Sequence, residues 1–247
     1  MKAANRYLVR ICHSTGEKEP SAAIASFVRS RRELNESLNV LAARLGVNRI
    51  TEEPMAFEGG VFRLANGELV IKLNAASPPS RKKFTLAHEI GHLMLGKPGL
   101  RSSCGEDPDL EKACDSIAAE LLMPFEDIKA FARSLGAPSP EKLKIVASRY
   151  AVSLHAAAVR LHIGLQLWKC FIACWARYPH VKTEWFVGRR VWDRTDPELS
   201  SLDLALSSTT PVESKEYWYR CSSAQPVWLK LLRISNDRVL GLIGFVS

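Results

Sequence analysis

Two histidines four residues apart, with a glutamate directly after the first, constrain the fold of this chain more than any other feature. The run His88-Glu89-Ile90-Gly91-His92 lies in a segment of helical pattern. Because residues four apart lie one above the other on a helix, His88 and His92 share a face and both imidazoles can reach one metal ion. Glu89 lies beside them. The pattern predicts a metal-binding helix; the alternative is a buried helix whose histidines are only hydrogen-bonded.

A second helical segment downstream offers a third ligand. Asp107 is a candidate N-cap and Pro108 a candidate first residue, because aspartate caps helices and proline fits their first turn. Apolar residues then recur at helical spacing and predict the buried face: Leu110, Cys114, Ile117, Ala118 and Leu121. Glu111 and Asp115 are four residues apart on another face of this helix. One of them can bind the metal while the other orients a ligand histidine.

We predict Glu111 as the third ligand and Asp115 as the orienting carboxylate. Glu120 lies about 180° around the helix from Glu111 and should point away. Spacing alone leaves three alternative ligands open: Glu106, Asp107 and Asp109. Two imidazoles and a carboxylate suit Zn²⁺, and a catalytic zinc keeps a fourth position open for water. Mn²⁺ is the alternative metal, since its site would have nearly the same geometry.

Two runs of the chain resemble motifs of one protein family. Residues 81–93, RKKFTLAHEIGHL, resemble the R-F-T-L-A-H-E-x-G-H core of the ImmA/IrrE family of bacterial metallopeptidases. Residues 111–124, EKACDSIAAELLMP, resemble that family's E-x-E-A-N-x-F-A-A-x-L-L-M-P helix. The resemblance covers roughly residues 33–164 and implies that Glu111 is the third ligand. The departures remove no ligand: Ala113, Cys114, Asp115 and Ile117 stand where the family has Glu, Ala, Asn and Phe.

Metal-assisted hydrolysis of a peptide bond is the chemistry that these residues predict. Zinc held by His88, His92 and Glu111 would activate water and the scissile carbonyl. Glu89 would accept the water proton and pass it to the leaving amine. The resemblance implies that the substrate is a helix-turn-helix transcriptional repressor, whose cleavage derepresses stress or mobile-element genes. The alternatives are a non-catalytic zinc-containing regulatory protein that binds a repressor or DNA, and a zinc amidase that acts on a small molecule.

The elements around the motif predict an α+β fold, with a zincin-like helical metallopeptidase domain that contains a small antiparallel sheet. Three short apolar runs precede the metal-binding helix as candidate strands: residues 55–57, 61–64 and 69–73. Asn66-Gly67 predicts a hairpin between the last two. The metal-binding helix should begin after Pro78-Pro79 and end at Gly96. An edge strand of the sheet can pair with an extended peptide; a purely structural sheet is an equal alternative.

A composition shift near residue 166 predicts a small β-rich C-terminal unit. The predicted parts of the chain are an N-terminal extension at 1–20, the ImmA/IrrE-like metallopeptidase domain at 21–165 and a β-rich domain of unknown role at 166–247. Residues 193–216 are polar and contain two prolines, which predicts a loop. Residues 229–234 and 239–246 predict a hairpin.

Composition is typical of a cytoplasmic protein. Residues 1–20 carry charges throughout, so no signal peptide is predicted, and no apolar run approaches the length of a membrane helix. Six cysteines lack the spacing of a disulfide framework. The net charge of +8 invites a nucleic-acid partner. Because the basic clusters are short and separated, a solvated surface is favoured over direct DNA binding.

Overall fold

The computed structural model describes residues 5–33, 36–96, 107–177, 180–188, 197–220 and 223–245. The chain divides into two compact units. The first comprises Met1–Ile128 and Tyr150–Val152, and the second comprises Lys129–Arg149 and Ser153–Ser247. In the described ranges, helices and sheets occur together, as an α+β fold requires.

The helices of the first unit begin at polar caps, except the fourth, which follows Pro78 and has no side-chain cap. They are α1 (Arg6–Thr15), α2 (Pro20–Arg29), α3 (Leu38–Arg44), α4 (Pro79–Met94) and α5 (Pro108–Leu122). The side chain of Asn5 accepts hydrogen bonds from the backbone amides of Tyr7 and Leu8, which starts α1 within the segment predicted as an extension. Ile11 is the buried residue of α1. The N-terminal segment is therefore helical over part of its length.

A three-stranded sheet precedes α4 and consists of β1 (Arg49–Glu53), β2 (Gly59–Arg63) and β3 (Leu69–Asn74). β2 and β3 form the antiparallel hairpin predicted from Asn66-Gly67, and Gly67 has a φ of +86°. β1 pairs with β3 in parallel, so the sheet, of order β1-β3-β2, is mixed rather than purely antiparallel. The strand predicted at 55–57 is wrong: the first strand is the polar β1, whose composition gives little strand signal.

The two helices that carry the predicted ligands begin close to the predicted residues, and α4 ends at Met94, two residues before the predicted Gly96. α4 begins at Pro79, and Gly96 follows its end with a φ of +64°. α5 begins at Pro108, and the Asp107 side chain accepts a hydrogen bond from the backbone amide of Asp109. None of the helices in the described ranges combines the length and hydropathy of a membrane span.

The second unit combines helices with a five-stranded antiparallel sheet. α6 (Phe125–Ser134) leads into it from the first unit, and its other elements are α7 (Pro140–Tyr150), α8 (Leu154–Val159), a π-helical turn (Arg160–Gly164), β4 (Phe171–Arg177), β5 (Val181–Val187), α9 (Leu199–Ser207), β6 (Val212–Arg220), β7 (Ser223–Arg233) and β8 (Arg238–Phe245). The strand order is β5-β4-β8-β7-β6. α9 packs on one face of this sheet, where Leu202 and Ala205 join a core that includes Trp175 and Trp218.

Two predictions for this region have different outcomes. The predicted hairpin is confirmed as the antiparallel pair of β7 and β8. The predicted loop at 193–216 is wrong, because α9 and the start of β6 lie within it. Leu202 and Ala205 bury themselves against the sheet, and this tertiary contact outweighs the polar composition of the segment.

Candidate metal centre

Helix α4 brings the imidazoles of His88 and His92 together. The two residues lie one turn apart, and their Nε2 atoms are 3.1 Å from each other. The rings meet edge to face, with centroids 4.9 Å apart. His92 is buried, and His88 is partly exposed. Local helical geometry alone therefore produces one edge of the site, as the spacing predicts.

Helix α5 completes the cluster with Glu111. Its Oε2 lies 3.1 Å from Nε2 of His88, and its Oε1 lies 3.4 Å from Nε2 of His92. Metal–nitrogen and metal–oxygen bonds of about 2.0–2.1 Å in a tetrahedron put neighbouring ligand atoms about 3.3 Å apart. The three side chains thus present their donor atoms at the separations that one tetrahedral metal ion requires, and they form a group that could hold such an ion.

Asp115 acts on His88 from the opposite side of the imidazole. Its Oδ1 lies 2.9 Å from Nδ1 of His88. When Nδ1 carries the proton and donates it to this carboxylate, Nε2 keeps its lone pair toward the cluster. Burial lowers the pKa of His88, but the hydrogen bond to Asp115 and the charges of Glu89 and Glu111 raise it more, so the net shift is upward.

Glu89 is buried, with 7% of its surface exposed, and it directly follows His88 on α4. Its charge contributes to the raised pKa of His88 and, with that of Glu111, to that of the Cys114 thiol. The Glu89 carboxylate is thus held out of bulk water, on the residue directly after the first of the two histidines.

Gly91 lets the two ligand helices approach closely. A β-carbon at this position would lie 3.1 Å from Cα and 3.2 Å from the backbone oxygen of Cys114 on α5. The two helices can therefore pack closely at this point because residue 91 has no side chain. Cys114 itself is fully buried, and burial raises the pKa of its thiol well above the usual range. The thiol therefore stays protonated at neutral pH.

The other carboxylates that spacing allowed as metal ligands either have other partners or lie outside the described residues. Asp107 accepts a hydrogen bond from the Tyr7 hydroxyl and forms an ion pair with Arg6, which holds its pKa below the usual value. The carboxylate of Asp109 accepts a long hydrogen bond from the backbone amide of Arg6. Glu120, which was predicted to point away from the site, accepts a 3.0 Å hydrogen bond from the backbone amide of Phe125. Glu106 lies outside the described residues. Sequence reasoning missed α1 as the partner of the α5 N-terminus; Asn5, a good N-cap, was the available signal.

Comparison with known proteins places residues 42–162 in the IrrE N-terminal-like domain. The radiation response metalloprotease IrrE of Deinococcus radiodurans is 35% identical over 116 residues, which cover 44% of this chain and 34% of that protein. The protein of the same name from Deinococcus deserti is 37% identical over 100 residues, which cover 37% of this chain and 35% of that protein. The chain thus spans about a third of the length of these relatives.

A transcriptional regulator from Mycobacterium tuberculosis has a similar fold. The superposition has a TM-score of 0.57, covers 98% of this chain and 80% of the regulator, and shows 11% sequence identity. At that identity the similarity concerns the fold alone. The sequence relatives, by contrast, are metalloproteases, and the chain presents a group of two histidines and a glutamate within residues 42–162, which match the family model. Through the domain of residues 42–162, the chain belongs to the ImmA/IrrE family of metallopeptidases.

Proposed function

We propose that this protein is a zinc-dependent endopeptidase with a zincin-like centre. The observation that carries the proposal is the triangle of donor atoms from His88, His92 and Glu111, with separations of 3.1 to 3.4 Å, next to the buried Glu89. A structural metal site needs four protein ligands, whereas a catalytic zinc site uses three and leaves one position open. The three-ligand set and the adjacent carboxylate support the catalytic alternative.

Each side chain of the centre has a distinct task in this proposal. A bound zinc ion supplies Lewis-acid activation of water and of a peptide carbonyl. His88 and His92 offer Nε2, Glu111 offers its carboxylate oxygens, and Asp115 fixes the ring of His88 through Nδ1. Glu89 accepts the proton of the attacking water and returns it to the leaving amine, which is general acid–base work worth about 10²–10⁴-fold in rate.

The open edge of β2 is a candidate binding strand for an extended peptide. Backbone hydrogen bonds from Leu64 to Glu68 and from Asn74 to Glu58 fix the register of the hairpin. Because hydrogen-bonded pairs alternate along an antiparallel ladder, every second residue of β2 turns its peptide group away from β3: Gly59, Val61 and Arg63. Main-chain pairing of a substrate with this edge would bind it without regard to most side chains.

β2 also lies beside the metal-binding helix. A β-carbon at Gly59 would lie 2.6 Å from Cγ2 of Thr85, which precedes His88 by one turn of α4. A peptide paired with β2 would therefore run along the helix that carries the ligand histidines. This packing favours the peptide-binding role of the sheet over a purely structural one.

The proposed substrate is a helix-turn-helix transcriptional repressor, as the family resemblance implies. Relatives named for the radiation response are in keeping with control of stress genes. The same proposal assigns the protein to the cytoplasm. A non-catalytic regulatory protein that binds a repressor or DNA is the second candidate, and the experiment below separates the two.

The experiment compares the zinc-loaded protein with Glu89→Gln on a helix-turn-helix repressor from the neighbouring operon or, failing that, the closest repressor in the genome. We expect two fragments on a gel with the wild type, at least about 100-fold slower cleavage with Glu89→Gln, and an unchanged zinc content in that variant. His88→Ala should lose both zinc and cleavage. Equal cleavage by wild type and Glu89→Gln would refute the mechanism, and tight binding without cleavage would favour the non-catalytic regulator.

A further inference from the structure

One face of the sheet in the second unit is covered by α9, and the opposite face carries aromatic and basic side chains on β6 and β7. The core beneath α9 takes Trp218 from β6 and Val227, Leu229 and Leu231 from β7. Side chains alternate between faces along a strand, so the residues between these positions point the other way. We call four of them the aromatic–basic face: Lys215, Tyr217, Trp228 and Lys230.

The two aromatic rings of this face are available for contact. Tyr217 is 66% exposed, the largest exposure among the large apolar and aromatic side chains that are exposed in the described ranges. Trp228 lies opposite Gly244 of β8, where a β-carbon would overlap its indole ring. The absence of a side chain at Gly244 therefore lets the indole lie over the neighbouring strand. Trp228 is partly exposed there, so part of the ring remains accessible.

The lysines stand next to the rings. Lys215 pairs directly with Trp228 across the two strands, and its side chain is exposed. Lys230 lies two residues after Trp228 on the same face of β7. It pairs with Glu213, and its Nζ is 2.8 Å from that carboxylate. Tyr217 is diagonal to Trp228, and such diagonal positions are about 7–8 Å apart. Two rings at this separation, with cations beside them, can receive two bases and the phosphate between them.

The whole net charge of the protein resides in the unit that carries this face. Of the 34 lysines and arginines, half lie in each unit, whereas 17 of the 26 aspartates and glutamates lie in the first. The first unit is therefore neutral, and the second carries the full +8. A unit with this charge attracts polyanions over distances well beyond direct contact.

We propose that the aromatic–basic face binds single-stranded nucleic acid. Bases of a single strand expose their π-faces and stack on aromatic side chains without sequence preference, while lysines follow the phosphates. A duplex keeps its base faces stacked within the helix and offers only base edges in its grooves. Acidic side chains would satisfy the lysines but, unlike bases, offer no aromatic ring to stack on the exposed Tyr217 and the partly exposed Trp228. The face requires no metal, so this inference stands apart from the proposed peptidase activity.

The test measures fluorescence anisotropy of a labelled oligothymidine of about 16 nucleotides with the full chain. At physiological salt we expect a Kd of about 1–100 µM, with tighter binding at low salt. Tyr217→Ala should weaken binding at least about fivefold, whereas Tyr217→Phe should keep it, because the phenyl ring still stacks. Lys215→Ala should lower the salt slope by about 0.7, the value for one phosphate contact with a single strand. Lys182→Ala, an exposed lysine on the far edge strand β5, is the matched control and should leave the slope unchanged.

Three outcomes would overturn the proposal. The first is an absence of binding at low salt. The second is that a duplex of the same length binds as tightly as the single strand and that Tyr217→Ala has no effect, which would reduce the interaction to charge alone. The third is that polyglutamate displaces the oligonucleotide at equal charge concentration, which would assign the face to an acidic protein partner. Because Tyr217 is exposed, its variants should melt at the wild-type temperature, and circular dichroism checks this.

Discussion

The hydrogen-bond partner of one imidazole nitrogen decides whether the other nitrogen of that histidine faces the candidate metal site. Nδ1 of His88 faces Oδ1 of Asp115, and Nε2 faces the other two donors. A histidine without such a partner can rotate or carry its proton on the wrong nitrogen. Because a helix is a local structure, the spacing of His88 and His92 alone predicted that their side chains share one face. Glu111 was chosen over its neighbours from helical spacing and the family resemblance, and in the structure its carboxylate oxygens lie 3.1 and 3.4 Å from the two Nε2 atoms.

Removing the carboxylate of Asp115 should weaken the metal centre. We expect Asp115→Ala to lower zinc affinity by about 10–100-fold, because His88 loses the partner that orients it. Asp115→Asn should retain most of the affinity, since the amide oxygen can still accept the Nδ1 proton. A competitive chelator titration measures both. Lys112→Ala, an exposed change on the same helix, is the control; wild-type affinity in Asp115→Ala would contradict the role.

Gly91→Ala has two opposing effects, and their balance is measurable. Alanine favours the interior of a helix by about 1 kcal/mol over glycine. The added β-carbon would meet backbone atoms of Cys114 at 3.1–3.2 Å, and overpacking of this kind costs about 1–3 kcal/mol. Because backbone atoms cannot turn aside, we expect a net loss of stability in urea unfolding and weaker zinc binding. An increase in stability would show that α4 and α5 can separate freely; Arg81→Ala on the exposed side of α4 is the control.

At the scale of elements, short sequence motifs predicted the turns and helix starts that depend only on neighbouring residues. Asn66-Gly67 produced the β2–β3 hairpin, and Asp107 with Pro108 marked the start of α5. The parallel pairing of β1 was not predictable in this way, because it depends on where a polar strand docks after the chain has folded. α9 was missed for a related reason: its few apolar residues have meaning only against the sheet that they cover.

The connection between α2 and α3 is held by Glu36, a buried carboxylate that the motif analysis did not single out. Arg44 donates to both of its oxygens at 2.8 Å, and the backbone amide of Glu33 donates to Oε2. The guanidinium of Arg32 donates to the backbone oxygen of Glu36 and to that of Leu121 at the end of α5. The turn between two helices is thereby attached to the helix that carries the third ligand.

Glu36→Gln should destabilise the protein by about 1.5–3 kcal/mol at neutral pH, the usual worth of hydrogen bonds to a charged group. The hydrogen bonds from Arg44 hold the pKa of Glu36 below its ordinary value. Its contribution is therefore complete above the ordinary glutamate pKa and is lost as the pH falls through the lower value of the folded state. Urea unfolding of both proteins should show the difference shrinking toward pH 3.

The control for this prediction is Glu68→Gln. Glu68 forms an exposed ion pair with Arg49, with the two charged atoms 3.5 Å apart. Such pairs contribute little, so we expect a change below about 0.5 kcal/mol at any pH. A pH-independent difference between Glu36→Gln and the wild type would mean that the glutamine disturbs packing rather than the charged hydrogen bonds.

On the scale of the whole molecule, the family match and the compact units divide the chain differently. The match ends at residue 162, within the π-helical turn, whereas the second unit runs from its helices into the five-stranded sheet. Within that unit the ring of His155 on α8 lies 5.2 Å from that of Trp185 on β5. The helices at the end of the matched region therefore pack on strands that the match does not include.

A chain that ends at residue 165 should consequently fold poorly. It would lack the sheet beside α8 and expose side chains that are fully buried in the complete chain, among them Ala157, Ala158 and Leu161. We expect at least about twofold more fluorescence of the dye ANS than from the full chain, since exposed apolar surface binds it. A chain that ends at residue 245 is the control. A truncated protein with full-length dye binding and cooperative melting would contradict this prediction.

The placement of all net charge in the second unit also affects which unit meets a polyanion first. At physiological salt the electrostatic field is screened within about 8 Å, and of the two units only the second has a net positive charge to attract a polyanion. First contact with nucleic acid would therefore be made by that unit, at a rate that falls as salt is added. In the proposed function, the neutral unit that carries His88, His92 and Glu111 would gain no such steering, and its association with a substrate would depend little on salt.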